Sequence, residues 1–282
     1  MRTVDLIYLA ALPYFFGLIA LEVATARQRG VTVYERRDTW ANLAMGAGNR
    51  VLEAGWVFAE VAALTWLHDH ALWDLGTGWT TWVVAMVGVD FLYYWYHRSH
   101  HEVRALWAVH VVHHSSQKYN LAVALRQPWL VVTFTPFLAP LAILGVPVEV
   151  IGVCFAVNLL YQFWIHTELI DRLPHWIEAV WNTPSHHRVH HGTNPQYLDR
   201  NYAGILVVWD RWFGTFEPER EPVVFGLTKN IATYNPLRIA THELVAIGRD
   251  VANARERQTR LGVVFRGPGW QPETIQPQGA PA

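Results

Sequence analysis

His97-Arg-Ser-His-His-Glu102, His110-Val-Val-His-His114 and, much later, His186-His-Arg-Val-His-His191 are the stretches that decide how this chain is read. His97 and His101 are four residues apart. His110, His113 and His114 stand at i, i+3 and i+4, and His187, His190 and His191 repeat that spacing. At about 100° per residue, each set comes to one face of a helix. A metal ion needs convergent lone pairs, and imidazoles one turn apart supply them. A lone histidine on an apolar face is usually a satisfied core residue, but two copies of His-x-x-His-His beside a His-x-x-x-His are a ligand pattern.

Twelve of the 15 histidines fall between His97 and His191. Structural zinc takes four ligands, and catalytic zinc takes three with one open position. The eight histidines of the three sets, together with His166 beyond an apolar run, exceed what one ion needs; two ions fit the count. His186, four residues before His190, joins the candidates. His100 points about 100° away from His101 and reads as a neighbour. His68, His70, His175 and His242 read as ordinary polar residues. Glu102 reads either as a carboxylate behind a ligand or against a cofactor, or as a solvated acid at a helix end. No Glu-x-x-His or His-Glu-x-x-His occurs, so neither a carboxylate-bridged bundle site nor a zinc-protease motif is present. Imidazole alone suits iron, copper, zinc or nickel. Besides a redox enzyme, two other readings use these residues. A zinc-dependent hydrolase needs only three ligands, and a metal transporter or sensor needs ligands along a path at bilayer depth.

The rest of the composition points to lipid. Charged residues make up 16 % of the 282, against about 25 % in soluble domains, and 52 % are apolar. A net charge of -1 gives no basic surface for nucleic acid, and the single Cys154 excludes a disulfide framework or a thiolate metal site. Five apolar stretches approach the roughly 20 residues that cross a bilayer: 6–24, 51–67, 79–96, 129–144 and 146–165. The last two, parted by Gly145 and Pro147, read as a hairpin, two spans, or a pair that dips in and returns. Ala24-Thr25-Ala26 resembles a signal cleavage site, but the preceding run is longer than a signal core. Arg27, Arg29, Arg36 and Arg37 place residues 27–50 in the cytoplasm, and residues 68–78, without Lys or Arg, outside. Glu53, Glu60, Asp90, Asn158 and Gln162 interrupt the apolar stretches. Glu53 and Glu60 read as interhelical contacts; Asp90 reads equally as support for the site or as an interhelical cap. Tyr119, Asn120, Arg126 and Gln127 line a substrate entrance or cap a helix. The expected fold is an all-α integral membrane bundle with a cytoplasmic, histidine-rich di-metal cap. Arginine outnumbers lysine 20 to 2, which suggests a GC-rich bacterial genome and an inner membrane.

The segments 90–103, 110–128, 163–170, 182–195 and 201–220 together resemble the fatty acid hydroxylase/sterol desaturase superfamily. Within it, 182–192 and 202–216 most resemble the alkylglycerol monooxygenases. The resemblance implies an O2-dependent membrane oxidoreductase that hydroxylates or desaturates a C–H bond of a lipid, with two iron ions held by histidine alone. Its implied ligands are His97, His101, His110, His113, His114, His187, His190 and His191, with His166 and His186 as additions. It further implies a separate electron donor, either a protein or tetrahydrobiopterin, with Glu102 as the residue to test. The expected organisation is membrane spans over 1–89, a catalytic region over 90–245 and a helix end with a disordered tail over 246–282. Residues 236–261, with Arg249, Arg255, Arg257 and Arg260, read as an interfacial helix on anionic lipid.

Overall fold

A computed structural model describes residues 3–130 and 133–271, with side chains from residue 11 onward. The described residues are helical, with no strand beyond two isolated bridges, Trp181 to Leu206 and Gly192 to Phe225. In chain order the helices are α1 (Thr3–Gln28), α2 (Arg36–Asp69), α3 (Trp79–Glu102), α4 (Arg104–His114), a 3-10 turn (Leu121–Leu125), α5 (Thr135–Ile143), α6 (Val148–Trp164), α7 (His175–Glu178), α8 (Pro184–His190), α9 (Val208–Phe213), α10 (Pro236–Asn253) and α11 (Arg257–Phe265).

Two layers follow from the sequence. The apolar runs pack α2, α3, α5 and α6 around Leu64, Ala85, Val89, Leu138, Leu141, Ala142, Val150, Ile151 and Cys154. α5 and α6 form a hairpin because Gly145 adopts φ +93°. A Cβ there would lie 1.9 Å from the Trp73 carbonyl oxygen. The hairpin turn also accepts from the loop after α2: Leu72 N donates to the Ile143 carbonyl at 2.9 Å. The 68–78 loop and this turn therefore share one end of the bundle, and the hairpin returns His166 to the opposite end, where the other histidines lie.

That second end is a polar cap. α3 runs unbroken from the apolar layer into it. Val103, in extended backbone (φ −118°, ψ 117°), then ends α3 and lets α4 turn back along it. Glu22 on α1 accepts from Tyr34 Oη, from Leu121 N at 2.9 Å and from Thr167 Oγ1, tying α1 to the segment after His166.

The five apolar stretches do not become five spanning helices. No helix among the described residues is long and apolar enough to cross a membrane. The fourth stretch yields only the nine residues of α5, with Pro136 near its start and Pro140 inside it, and α6 has 17. Arg50 and Glu53 pair on α2, and α3 ends in the polar run 97–102. Residues 272–282 of the expected tail lie outside the described residues. Before them, Trp270 packs so tightly on Gly262 that a Cβ at that glycine would lie 2.4 Å from the indole.

Candidate metal centre

The histidines converge on two foci. His97, His101, His110, His114 and His190 each place a ring nitrogen within 4.8 Å of the others, as do His113, His166, His187 and His191. All nine are buried. The helical repeat explains the division. His113 and His114 are about 100° apart on α4, so they face different foci, while His110 and His114 share one. The second motif mirrors the first: His187 and His191 share a focus, and His190 faces the other. Each His-x-x-His-His thus gives its i,i+4 pair to one group and its middle histidine to the other. α3 completes the five-histidine group, and His166, two residues past the end of α6, completes the four-histidine group.

Protonation and hydrogen bonding suit a cation. Burial first, then mutual imidazole repulsion, hold His97, His110, His114, His187, His190 and His191 well below the usual imidazole value, and burial does the same for His113. Burial also lowers His101, and it lowers His166 to about 4. Neutral rings donate through one nitrogen and present a lone pair on the other. His97 Nδ1 donates to the Tyr202 carbonyl at 2.8 Å, His190 Nδ1 to the Arg200 carbonyl at 3.0 Å, and His166 Nδ1 to the Gln162 carbonyl at 2.7 Å. Their Nε2 atoms therefore carry lone pairs. His97 Nε2 lies 2.9 Å from His110 Nε2, and His166 Nε2 lies 3.1 Å from His113 Nε2 and 3.0 Å from His187 Nε2. Buried Nε2 atoms of His101, His190 and His191 have no hydrogen-bond partner. Crowded lone pairs repel unless a cation sits between them, so the residues fit one metal ion at each focus.

A short loop orients the five-histidine group. Residues 199–202 supply the Arg200 and Tyr202 carbonyls, and Asp199 Oδ1 lies 3.7 Å from His101 Nδ1. Asp199 and Asn201 both adopt φ 57°, and the alternate carbonyls of Arg200 and Tyr202 meet the rings. The loop is pinned from behind. Asp210 accepts from Tyr202 N at 2.7 Å and Ala203 N at 2.9 Å, and Asp90 accepts from Ile205 N at 2.7 Å, Leu206 N at 3.0 Å and Trp209 Nε1 at 2.8 Å. Asp90 also takes Asn158 Nδ2 at 2.7 Å, so it joins helices and supports the site at once. Spacing analysis missed Asp199, Arg200, Tyr202 and Asp210, because a carbonyl partner leaves no side-chain signature.

His186 is the one candidate that reaches neither focus. It is one residue, or about 100°, from His187. Its ring packs on Phe216, with Nε2 4.0 Å from Glu178. His100 is buried against Tyr96, 3.9 Å between ring centroids, outside both groups. Glu102 is half-exposed and pairs with Arg98 at 2.8 Å. The residues considered for an entrance are packing elements. Tyr119 Oη donates to the Ile165 carbonyl at 3.1 Å, and Asn120 caps the 3-10 turn. Gln127 bonds the Ala124 carbonyl, and buried Arg126 donates to the Val112 carbonyl, Ser115 and Asn42.

Residues 82–215 match the fatty acid hydroxylase family. The chain is 42 % identical to alkylglycerol monooxygenase of Xenopus tropicalis over 265 residues, covering 92 % of this chain and 58 % of that protein. It is also 42 % identical to the Homo sapiens alkylglycerol monooxygenase over 267 residues, 93 % of this chain and 59 % of the relative. It shares 30 % identity over 154 residues with the ornithine lipid hydroxylase OlsE of Rhizobium tropici, 53 % of this chain and 46 % of that one. The chain thus spans less than two thirds of the length of these curated relatives. No solved structure matches it. All nine converging histidines lie inside the matched segment, and residues 82–215 belong to the fatty acid hydroxylase family.

Proposed function

We propose that this protein is a membrane-embedded, O2-dependent di-iron enzyme that hydroxylates or desaturates a C–H bond of a lipid. The observation that carries the reading is the pair of buried, imidazole-only foci, with five and four histidines. His97, His101, His110, His114 and His190 would hold one iron, and His113, His166, His187 and His191 the other. A bound iron pair supplies the redox chemistry by which O2 is reduced and the lipid carbon oxidised.

This chain's own residues do the rest. The 199–202 loop and the Gln162 carbonyl fix ring tautomers, so that lone pairs face inward. Burial keeps the rings neutral and bulk water out. In hydroxylation one oxygen atom enters the C–H bond and the other leaves as water, so two electrons and two protons come from a separate donor. A reduced pterin or an electron-transfer protein fits that need. Glu102, half-exposed and next to His101, is the residue to test for contact with such a donor.

Membrane embedding is supported by the apolar surface that the bundle leaves uncovered. Val51, Phe58, Trp66, Trp79, Val83 and Val84 on α2 and α3 are all exposed, at 52 to 78 %. Relatives named for alkylglycerol and ornithine lipid substrates support a lipid as the substrate class. A three-ligand zinc hydrolase leaves most of the nine histidines unexplained. A transporter needs ligands spread along a path rather than gathered at two points.

The test is direct. Protein purified in lipid nanodiscs is loaded anaerobically with ferrous iron, and bound iron is counted. Alkylglycerols and acyl lipids are then offered with O2 and reductant. Two irons per chain, and product mass shifted by one oxygen or two hydrogens, are expected. Absence of iron binding by intact protein sinks the proposal.

A further inference from the structure

α10 and α11 are absorbed by neither the metal centre nor the bundle core. α10 buries one edge: Ile239 packs with Ala41, Met45 and Val112, while Arg104 pairs with Glu243 and Asp250, both at 2.7 Å. The Arg104 amide donates to the Arg266 carbonyl at 2.9 Å and so ties the end of α11 to the same place. Among the described residues, the opposite face of α10 has no partner. Leu237, Leu244 and Val245, within about 100° of one another, are 62, 44 and 55 % exposed, and Leu261 and Phe265 on α11 are 47 and 62 % exposed. The acids of α10 are consumed by Arg104, whereas the exposed Arg238, Arg249, Arg255 and Arg257 enter no ion pair among the described residues.

We infer that α10 and α11 form an arginine-flanked apolar face that rests in the headgroup layer of an anionic bilayer. The inference rests on the membrane embedding proposed above. Two observations choose lipid as the occupant. Glu256, between Arg255 and Arg257, is an exposed acid with no ion pair among the described residues, and against four such arginines the net charge here is positive, complementary to anionic headgroups. The height also fits. α10 docks beside Met45 on α2; past the isolated exposed Trp40, the run of exposed apolar residues on α2 starts at Val51, six residues beyond Met45 and thus about 9 Å along the helix, on the scale of the interfacial layer. An amphipathic helix with apolar and arginine faces lies in that plane rather than across it.

Spin labels test this in the full chain. Val245→Cys and, separately, Phe58→Cys are labelled with Cys154 replaced by alanine, in nanodiscs of phosphatidylcholine with and without phosphatidylglycerol. Collision rates with O2 and with a water-soluble nickel chelate are compared. The Val245 site is expected to favour O2 in anionic discs. Arg249→Gln with Arg257→Gln should lower the embedded-to-exposed ratio there by roughly tenfold and leave the Phe58 site unchanged. A Val245 site open to nickel beside an embedded Phe58 site overturns the inference and leaves membrane embedding intact. Two water-exposed sites overturn both. Dipolar coupling between Val245 labels of two chains assigns the face to a second copy and overturns the lipid reading.

Discussion

His97 Nδ1 and the Tyr202 carbonyl meet at 2.8 Å across 105 residues of chain, and the loop that brings them together is fastened from behind by Asp210. Asp210 should therefore control one metal position selectively. Asp210→Ala frees the Tyr202 and Ala203 amides and is expected to weaken metal held by the five-histidine group about 10- to 100-fold, with the other group nearly unaffected. Iron per chain, measured against a graded chelator, should fall in two separated steps. Equal loss from both positions would falsify the division of labour.

The same carboxylate sets a pH dependence. Burial pushes Asp210 up to about 6, overcoming the hydrogen bonds from Thr215, Tyr202 and Ala203 that pull it down. An unfolded aspartate titrates near 3.9, so between about pH 4 and 6 the native state holds a proton that the unfolded state has lost. Stability from this group therefore falls as pH rises through that window and is level above it. Asp210→Asn removes the titration. The stability of wild type minus variant should drop by up to about 3 kcal/mol from pH 4 to 6, read from denaturant melts. A difference that stays flat or rises contradicts the burial argument.

How much of this was legible follows from what each group shows to a sequence reader. His110, His113 and His114 announce themselves because the helical period converts spacing into direction. The apolar runs announced the bundle, but not how far each helix extends. α5 starts only beside Pro136, runs on through Pro140 and stops before the Gly145 turn, which leaves nine residues of that run helical. His186 looked eligible by its spacing from His190, yet it is one step round the helix from His187 and faces Glu178. The 199–202 loop acts through carbonyls and through φ 57° at Asp199 and Asn201, which no residue pattern encodes.

His166 and His186 make a matched pair of tests. His166 bridges His113 and His187 at 3.1 and 3.0 Å, and His186 touches neither focus. His166→Ala is expected to release one metal per chain, whereas His186→Ala should keep both and alter only local stability. Elemental analysis of the two purified variants decides it. Full loading of His166→Ala, or loss from His186→Ala, would reverse the assignment.

Asn201 separates backbone geometry from hydrogen bonding. Its side chain bonds the His186 carbonyl at 3.0 Å, the Glu217 carbonyl at 2.8 Å and the Glu217 amide at 2.8 Å, while its backbone holds φ 57°. Asn201→Gly loses the bonds but adopts the angle freely. Asn201→Ala loses the bonds and also bears about 1–2 kcal/mol for the left-handed conformation. The alanine variant should unfold at the lower denaturant concentration, and equal midpoints would remove backbone strain from the account.

Arg126 is nearly fully buried, at 1 % exposure, where α4 ends. It donates to the Val112 carbonyl and Ser115 Oγ, both at 3.0 Å, and to Asn42 Oδ1 at 2.9 Å, with Asp38 at 3.4 Å. A cation at a helix C-terminus complements the dipole, and Arg126 adds a charged donor to the Val112 carbonyl, which also accepts from Ser115 N at 3.3 Å and Ser115 Oγ at 2.7 Å. Arg126→Met keeps the bulk but strands the buried Asp38 carboxylate, so a loss of about 3–5 kcal/mol is expected. Lysine should not rescue it, because one ammonium cannot reach Val112, Ser115 and Asn42 from a single stem. Adding Asp38→Asn to Arg126→Met removes the stranded charge and should restore part of the loss. If the double variant is no more stable than the single one, the penalty lies in the α4 carbonyls. In that case iron content, which depends on His113 and His114 one and two residues after Val112, should fall with both variants alike.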